Sequence, residues 1–303
     1  MFTRNSIVLS NNIKTPLTAI SRAIGNILQL TYGQLVKQLF SNQEQGFAYD
    51  PNDLTTLYQD AAGTVPVTAA GQPVGLMLDK SKGLSLSAEL FNAALDFNNW
   101  SRTAAVTSVT ANSFTTNGLG GCTKNPITTG MSPTKSYQVR IFGTCNVAHK
   151  IRSSSTYVGE VSVPAGAFDV TIKSPITFAD SSMYFQLQAA GTITVNSISI
   201  KELAGNHTYQ TTSASRPILR DAPRRIDFDA VDDKLITNLP VQLSGCTVVR
   251  SVPNIGTQIL TGQTIPVTYE DNTDHCGLIV INRALTASET SQITKLFNKA
   301  AGV

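Results

Sequence analysis

The most regular pattern of apolar positions lies near the start of the chain, between residues 13 and 39. Apolar side chains recur there every three or four residues, which predicts an amphipathic α-helix with one continuous apolar stripe. Thr15-Pro16 is a suitable start, because proline is well accepted at the first helical position. We predict either that this helix docks on its own chain or that it anchors the protein to copies of itself or to a larger assembly. The anchoring hypothesis assigns the contact to Ile13, Leu17, Ile20, Ile24, Leu28, Leu35 and Leu39.

Beyond residue 46 the helical spacing gives way to alternation of apolar and polar residues, which is typical of half-buried strands. In residues 85–203 these segments are separated by Gly, Pro, Asn and Ser, which indicates an antiparallel β-sandwich. The predicted strands are residues 105–109, 137–143, 156–163, 167–172, 183–189 and 193–200.

A second set of predicted strands flanks that region. They are residues 47–49, 74–78, 246–252, 258–260 and 277–281. Residues 234–245 hold no predicted strand and residues 269–275 are predicted as a polar loop, so this second sandwich is expected to be abbreviated or completed by another subunit. The chain should finish in a short helix, because Thr286 and Glu289 have capping-box spacing and Gly302 is a suitable stop.

The loops Asp79-Lys80-Ser81 and Gly205-Asn206-His207 look like the two halves of one loop. We therefore predict a mainly β protein of two antiparallel β-sandwiches, one inserted in a loop of the other, with an N-terminal amphipathic helix and a short C-terminal helix. The predicted domains are residues 1–46, residues 47–84 plus 204–303, and the inserted residues 85–203. Because the ends of an inserted domain must lie close together, the predicted insertion hinge, Ser81 and Gly205, should be near neighbours in space.

Composition excludes several classes of function. Charged residues make up 14% of the 303 residues and the formal net charge is +3, which is too weak to indicate nucleic-acid binding. No apolar run approaches the ~18 residues of a membrane span and no secretory signal is visible, so we expect a protein made in a cytoplasm. The cysteines either are buried thiols or, in an oxidising compartment, form the disulfides Cys122–Cys145 and Cys246–Cys276.

Candidate catalytic and metal-binding groups are sparse. One acidic cluster comprises Asp227, Asp229, Asp232 and Asp233. It could hold a glycosidase pair or calcium, but a structural role is favoured because the spacing of a calcium loop is missing. His275-Cys276 with Cys246 could supply part of a zinc site that lacks a fourth ligand. We therefore predict no catalytic residue, no metal and no cofactor.

Two other groups of side chains could meet a partner. Arginines at positions 216, 220, 224 and 225 form a basic cluster that either faces an acidic surface or anionic polysaccharide or lies in a solvated loop. Aromatic side chains on the rim of a sandwich can stack on sugars, and the weak candidates are Trp100, Tyr157 and Tyr184. A tryptophan at the start of a module is more often part of its core.

Several short motifs carry a family resemblance. They are Tyr49-Asp50-Pro51-x-Asp53-Leu54-x-x-Leu57, Val74-Gly75-Leu76-Met77-Leu78-Asp79-Lys80-Ser81, Gly205-Asn206-His207, Arg216-Pro217, Phe228-Asp229-x-Val231-Asp232-Asp233 and Asn282-Arg283-Ala284-Leu285-Thr286-x-x-Glu289. With these motifs the chain resembles structural proteins of tailed bacteriophages and the concanavalin-like, laminin-G-like lectin superfamily, over residues 47–81 and 205–303. Residues 85–203, with Glu89-Leu90-Phe91-Asn92 near their start and Ile198-Ser199-Ile200-Lys201-Glu202 at their end, are similar to carbohydrate-binding jelly-roll modules.

The resemblance implies a virion structural protein. It implies an exposed tail-fibre or appendage component that contributes to attachment to a host cell-surface polysaccharide. Its partners would be other virion proteins, bound through the N-terminal helix, and further copies of itself, most simply in a trimer. The alternative is a purely structural adaptor, collar, baseplate or capsid-decoration protein. A polysaccharide depolymerase is a less favoured third hypothesis.

Overall fold

The computed structural model describes residues 30–91, 94–132, 135–153, 160–176, 178 and 180–303. Over these residues the fold is mainly β, with several antiparallel sheets and two α-helices. The strands, numbered along the chain, are β1 (Gly46–Tyr49), β2 (Leu57–Tyr58), β3 (Leu76–Met77), β4 (Ser101–Arg102), β5 (Val106–Val109), β6 (Ser113–Thr116), β7 (Gly120–Lys124), β8 (Ser136–Cys145), β9 (His149–Arg152), β10 (Val161–Val163), β11 (Gly166–Ser174), β12 (Met183–Leu187), β13 (Gly191–Leu203), β14 (Thr208–Tyr209), β15 (Ile218–Arg220), β16 (Arg225–Asp227), β17 (Leu235–Asn238), β18 (Leu243–Val252), β19 (Gly256–Ile265), β20 (Thr268–Asp271) and β21 (Leu278–Ile281).

The sheets divide the strands by position in the chain. A four-stranded sheet has the order β1-β21-β18-β19, a five-stranded sheet has the order β2-β3-β14-β17-β20, and β15 and β16 form a separate pair. Two further five-stranded sheets, β10-β9-β12-β7-β4 and β11-β8-β13-β6-β5, use only strands between residues 101 and 203. We call residues 85–203 the central region, and residues 46–81 with 205–303 the flanking region.

Two predictions about the flanking region are wrong. Strand β17 lies in the segment that was expected to hold no strand, and it joins β14 to β20. Strand β20 lies in the segment that was expected to be a polar loop. Both strands are only four residues long, so their pairing depends on backbone hydrogen bonds to neighbours that an apolar pattern does not reveal.

The N-terminal helix described by the structure, α1 (Tyr32–Leu39), is shorter than expected. Leu30 and Thr31 are not helical, and Thr31 caps a new start because its hydroxyl accepts the N–H of Gln34. The predicted continuous helix is therefore interrupted before Tyr32. The anchor residues outside the described part of the chain are Ile13, Leu17, Ile20, Ile24 and Leu28.

The two remaining anchor residues belong to the chain's own core. Leu35 and Leu39 are 1% and 0% exposed. They pack in a cluster with residues of β1, β18 and β21 and with Ile293 and Phe297 of the C-terminal helix α2 (Ala287–Ala301). The described part of the N-terminal helix is thus docked on its own sheet.

The predicted C-terminal helix, its capping box and its end at Gly302 are confirmed. Thr286 and Glu289 form both hydrogen bonds of a capping box, and the helix ends at Gly302 in the left-handed conformation, with φ of 85°. Among the described residues, no helix is long and apolar enough to cross a membrane.

Each region has a core of its own. In the central region the core is built around aromatic side chains, which include Phe97, Trp100, Phe114 and Phe185. In the flanking region it includes Phe47, Tyr49, Leu219, Leu235 and Val280.

The two regions also contact each other. The Lys173 N–H of β11 donates to the carbonyl of Ala62, and its Nζ lies 2.9 Å from the Tyr58 hydroxyl. Leu203 packs in one small cluster with Leu76 and Leu78. The central region is therefore seated against the flanking region as well as joined to it by the chain.

Candidate functional site

The chain passes between the two regions at a buried carboxylate, Asp79. Its Oδ1 accepts the N–H groups of Ala48 and Ser81, each at 2.8 Å. Its Oδ2 accepts the Ser81 hydroxyl and the N–H of Asn206, again each at 2.8 Å. One side chain therefore joins β1, the segment that enters the central region and the segment that returns from it. We call Asp79, Ser81, Gly205, Asn206 and His207 the junction.

Ser81 and Gly205 lie beside the same carboxylate. A side chain at Gly205 would place its Cβ 3.1 Å from the Oδ2 of Asp79 and 3.0 Å from the ring of His207, and φ at this glycine is 131°. Glycine is favoured here because side chains rarely adopt this φ and because a Cβ would press on both Asp79 and His207. The two residues assigned to the insertion hinge are thus spatial neighbours.

The other two junction residues complete the connection. The Nδ1 atom of His207 accepts the N–H of Asp79 at 2.9 Å, so the ring proton belongs on Nε2. The side chain of Asn206 donates from Nδ2 to the Gly46 carbonyl, and its backbone carbonyl accepts the Tyr49 hydroxyl. Every bond is internal, so the junction acts as a structural clamp.

Burial governs the protonation of the junction. It raises the pKa of Asp79 to about 6, although the four donated hydrogen bonds act in the opposite direction. Burial also lowers the pKa of His207 to about 4, against a smaller effect of the Leu203 backbone that raises it. At neutral pH the junction therefore holds an ionised Asp79 and a neutral His207.

A polar sheet face in the central region is the best candidate for a ligand site. On β12 the side chains of Met183, Phe185 and Leu187 are buried, so Tyr184 and Gln186 project from the other face. Tyr184 stands opposite Arg152 of β9, and Gln186 stands opposite Lys150. We call Tyr184, Gln186, Lys150 and Arg152 the β9–β12 face.

The β9–β12 face combines an aromatic ring with charged groups. The guanidinium carbon of Arg152 lies 5.1 Å from the centre of the Tyr184 ring, which is within the range of a cation–π contact. Glu160, which precedes β10, forms ion pairs with both Lys150 and Arg152. Such a surface offers a ring for stacking, surrounded by hydrogen-bond donors and acceptors.

The structure separates the three aromatic candidates. Trp100 is 6% exposed and packs in the core, with its ring 4.8 Å from that of Phe97 and 5.9 Å from that of Phe185. Tyr184 is half-buried on the β9–β12 face. Tyr157 lies outside the described residues.

The acidic cluster forms a self-bonded loop. Strand β16 ends at Asp227, so Asp229 lies beyond the strand. There its Oδ1 accepts the N–H groups of residues 231, 232 and 233, and these bonds lower its pKa. Asp229, Asp232 and Asp233 are the one set of three possible metal ligands brought together in the described part of the chain.

The histidines and cysteines are not brought together as a metal site in the described part of the chain. His149 is buried beside Phe168, and burial lowers its pKa to about 4. His275 is buried with its Nε2 3.0 Å from Asp271, which also accepts from Arg250. Burial alone would raise the pKa of Asp271, but these two neighbours hold it below its usual range. All four cysteines are buried free thiols, and neither of the two possible disulfides is present.

The basic cluster is bonded within the chain. Arg216 donates to three backbone carbonyls, Arg220 and Arg225 pair with Asp227, and Arg224 pairs with Asp221.

Sequence reasoning recognised the two junction loops but missed that Asp79 links them, and it missed Lys150, Arg152 and Glu160 altogether. The Asp-x-Ser spacing was an available signal, because an aspartate often accepts the N–H two residues on.

The chain matches no protein-family model, and no curated protein sequence matches it.

Proposed function

We propose that this protein is a structural component of a tailed-bacteriophage virion, an exposed tail-fibre or appendage subunit that contributes to attachment to host-surface glycans. The observation that carries the proposal is the junction. The chain leaves one group of sheets at Ser81 and returns at Gly205 beside the same carboxylate. This arrangement supports an architecture in which a lectin-like sandwich (residues 47–84 and 204–303) displays an inserted jelly-roll-like sandwich (residues 85–203).

The display architecture has a functional consequence. A displayed module needs a rigid connection to the domain that carries it. A flexible connection would let its binding face adopt many orientations and so raise the entropic cost of binding. The buried Asp79 clamp and the contacts of Lys173 and Leu203 supply such a rigid connection. The motif resemblance of residues 47–81 and 205–303 supports the virion assignment.

The β9–β12 face is the part of the proposed module best suited to a glycan. Sugars bind by stacking their apolar ring faces on aromatic side chains, while their hydroxyls exchange hydrogen bonds with charged and amide groups. Tyr184 supplies the ring and Arg152, Lys150 and Gln186 supply the polar groups.

An oligomer, in the simplest case a trimer, is part of the proposal. Leu35 and Leu39 are used within the chain, so contacts to other copies or to other virion proteins would involve other surfaces.

A glycan array probed with the full chain tests the proposal. We expect binding to cell-surface polysaccharides, and about tenfold weaker binding for Tyr184→Ala, because stacking is lost. Phe142→Ala is the matched control, since this exposed aromatic residue lies on β8, in the other sheet of the central region, and its loss should leave binding unchanged. Equal loss in both variants, or binding that survives Tyr184→Ala, would contradict the β9–β12 assignment.

A purely structural adaptor is the second candidate. The observation that favours it is the pairing of Lys150 and Arg152 with Glu160, which satisfies both cations within the chain. In that case purified particles would contain the protein at a fixed copy number in cryo-electron microscopy while the glycan array stayed blank. If the particles lacked the protein, both candidates would fail.

A further inference from the structure

A cleft lies beside the junction and shares Ser81 with it. It has a volume of about 720 Å³ and is bounded by the end of α1 and by the loop that follows Asp79. Its walls include Lys37, Phe40, Lys80, Lys82, Leu84 and Ala204. That volume is within the range of pockets that bind small ligands.

The charge of the cleft is unbalanced. Lys80 is neutralised by Asp50 and Asp53, at 3.0 and 2.7 Å. Among the described residues, no carboxylate lies within ion-pair distance of Lys37 or Lys82, and none of those that line the cleft is acidic. Residues 1–43 contain no Asp or Glu, so that part of the chain cannot neutralise them either.

Lys82 is held in place without being neutralised. Its Nζ donates to the Glu44 carbonyl at 2.8 Å and lies 6.0 Å from the centre of the Phe40 ring. An ammonium group has three N–H donors, so two remain for a ligand, and a fixed side chain loses less entropy when it binds. Gln43 and Leu84, which also line the cleft, have left-handed φ angles of 64° and 53°. Strained backbone of this kind is concentrated at ligand sites.

We propose that this cleft binds a phosphate group, held by Lys82 and Lys37. Lysine binds phosphate as a compact point charge, and Lys37 and Lys82 line the cleft without an ion-pair partner among the described residues. The phosphate can be free inorganic phosphate or a phosphodiester in a polymer. The site is formed by α1, by the loop that follows Asp79 and by Ala204, and it shares none of its described lining residues with the β9–β12 face, so it goes beyond the proposed function.

Isothermal titration calorimetry on the full chain tests the proposal, with inorganic phosphate, poly(glycerol phosphate) and acetate as probes at low ionic strength. We expect saturable phosphate binding that weakens as salt is added, and weaker binding of acetate. Lys82→Gln should reduce phosphate affinity about tenfold, because a charged hydrogen bond is lost. Lys37→Gln should reduce it several-fold. Tighter binding of the polymer than of inorganic phosphate would identify a phosphodiester ligand, and the reverse would identify the free anion.

Two controls keep the test decisive. Lys295→Gln removes an exposed lysine of α2 that does not line the cleft, and it should bind phosphate as the wild type does. Lys37 is exposed on α1, so Lys37→Gln should fold even if Lys82→Gln does not. The proposal is overturned if no saturable phosphate binding occurs, or if binding is unchanged in the Lys37→Gln/Lys82→Gln double variant. Tyr184→Ala should bind phosphate normally, so a failed glycan test would leave this result intact.

Discussion

The flanking and central regions differ in what they bury. The buried carboxylates of the described residues are Asp50, Asp79, Asp233, Asp271 and Glu289, and all of them belong to the flanking region. The central region buries an aromatic cluster in their place. A buried carboxylate is tolerated only where several donors meet it, so it fixes which segments lie side by side. An aromatic core holds its sheets together with less dependence on any one partner.

The largest expected effect is that of Asp79→Ala. The N–H groups of Ala48, Ser81 and Asn206 would lose their acceptor inside the protein, so we expect a loss of about 5 kcal/mol in the free energy of unfolding. Urea denaturation followed by circular dichroism measures it. Trp100, the only tryptophan, lies in the central core, so its fluorescence reports separately on whether that region stays folded.

Asp169→Ala is the matched control for the carboxylate. Asp169 is exposed on β11 of the central region and pairs with Arg140. Its removal should leave the urea midpoint unchanged. If Asp79→Ala and Asp169→Ala behaved alike, the clamp would have no special role in stability.

Phe185→Ala tests the aromatic core of the central region. Phe185 is fully buried, with its ring 5.9 Å from those of Phe97 and Trp100, so the cavity should cost about 4 kcal/mol. Hydrogen exchange measured by mass spectrometry should show the loss of protection in the central strands first, while β1 and β21 stay protected. Uniform loss in both regions would show instead that they unfold as one unit.

Leu39→Ala distinguishes a core helix from an anchor. Leu39 is fully buried against the flanking sheet, so we expect a loss of about 3 kcal/mol in the free energy of unfolding. Gln38→Ala, at an exposed position on the same helix, is the control and should unfold as the wild type does. If the Leu39→Ala variant were as stable as the wild type and lost only its assembly with other proteins, the anchoring hypothesis would be supported instead.

The contribution of the Asp79 clamp to stability should also depend on pH. The folded pKa of about 6 lies above the ordinary value of 3.8, so between these pH values the folded chain binds more protons than the unfolded chain. The contribution of Asp79 to stability therefore falls as pH rises from about 4 to about 6 and is constant above that. The other three donors to Asp79 are backbone N–H groups, which cannot accept a hydrogen bond. When Asp79 is protonated, its O–H can therefore donate only to the Ser81 hydroxyl.

The histidines contribute a pH dependence of stability that is opposite in sign to that of Asp79. The effect of Asp79 must therefore be measured as a difference between two proteins. His149 and His207 have a folded pKa lowered from 6.5 to about 4, and their contribution is lost as pH falls through that window. Asp79→Asn removes the titrating group alone. The stability of the wild type minus that of Asp79→Asn, from urea denaturation at each pH, should decrease from pH 4 to pH 6. A flat difference would show that Asp79 does not titrate there.

Sequence patterns predicted those parts of the fold that depend on local chemistry. The capping box at Thr286 and Glu289 placed α2 correctly, because its donors and acceptors lie three residues apart. The alternation of buried and exposed residues located β8, β11 and β13 to within a few residues. Strand β17 was missed because Leu235–Asn238 is short and depends on pairing with β14 and β20.

The candidate sites depend on contacts between distant parts of the chain. The Asp79 carboxylate meets a donor 127 residues away, and the Tyr184 ring meets the guanidinium of Arg152 across two paired strands. The sequence by itself determined the mainly β character and the C-terminal helix. Only the tertiary structure decided that one carboxylate links the two junction loops and that Leu35 and Leu39 face inward. The reason is physical, because periodicity encodes which face of an element is apolar but carries no information on the identity of the partner that covers it.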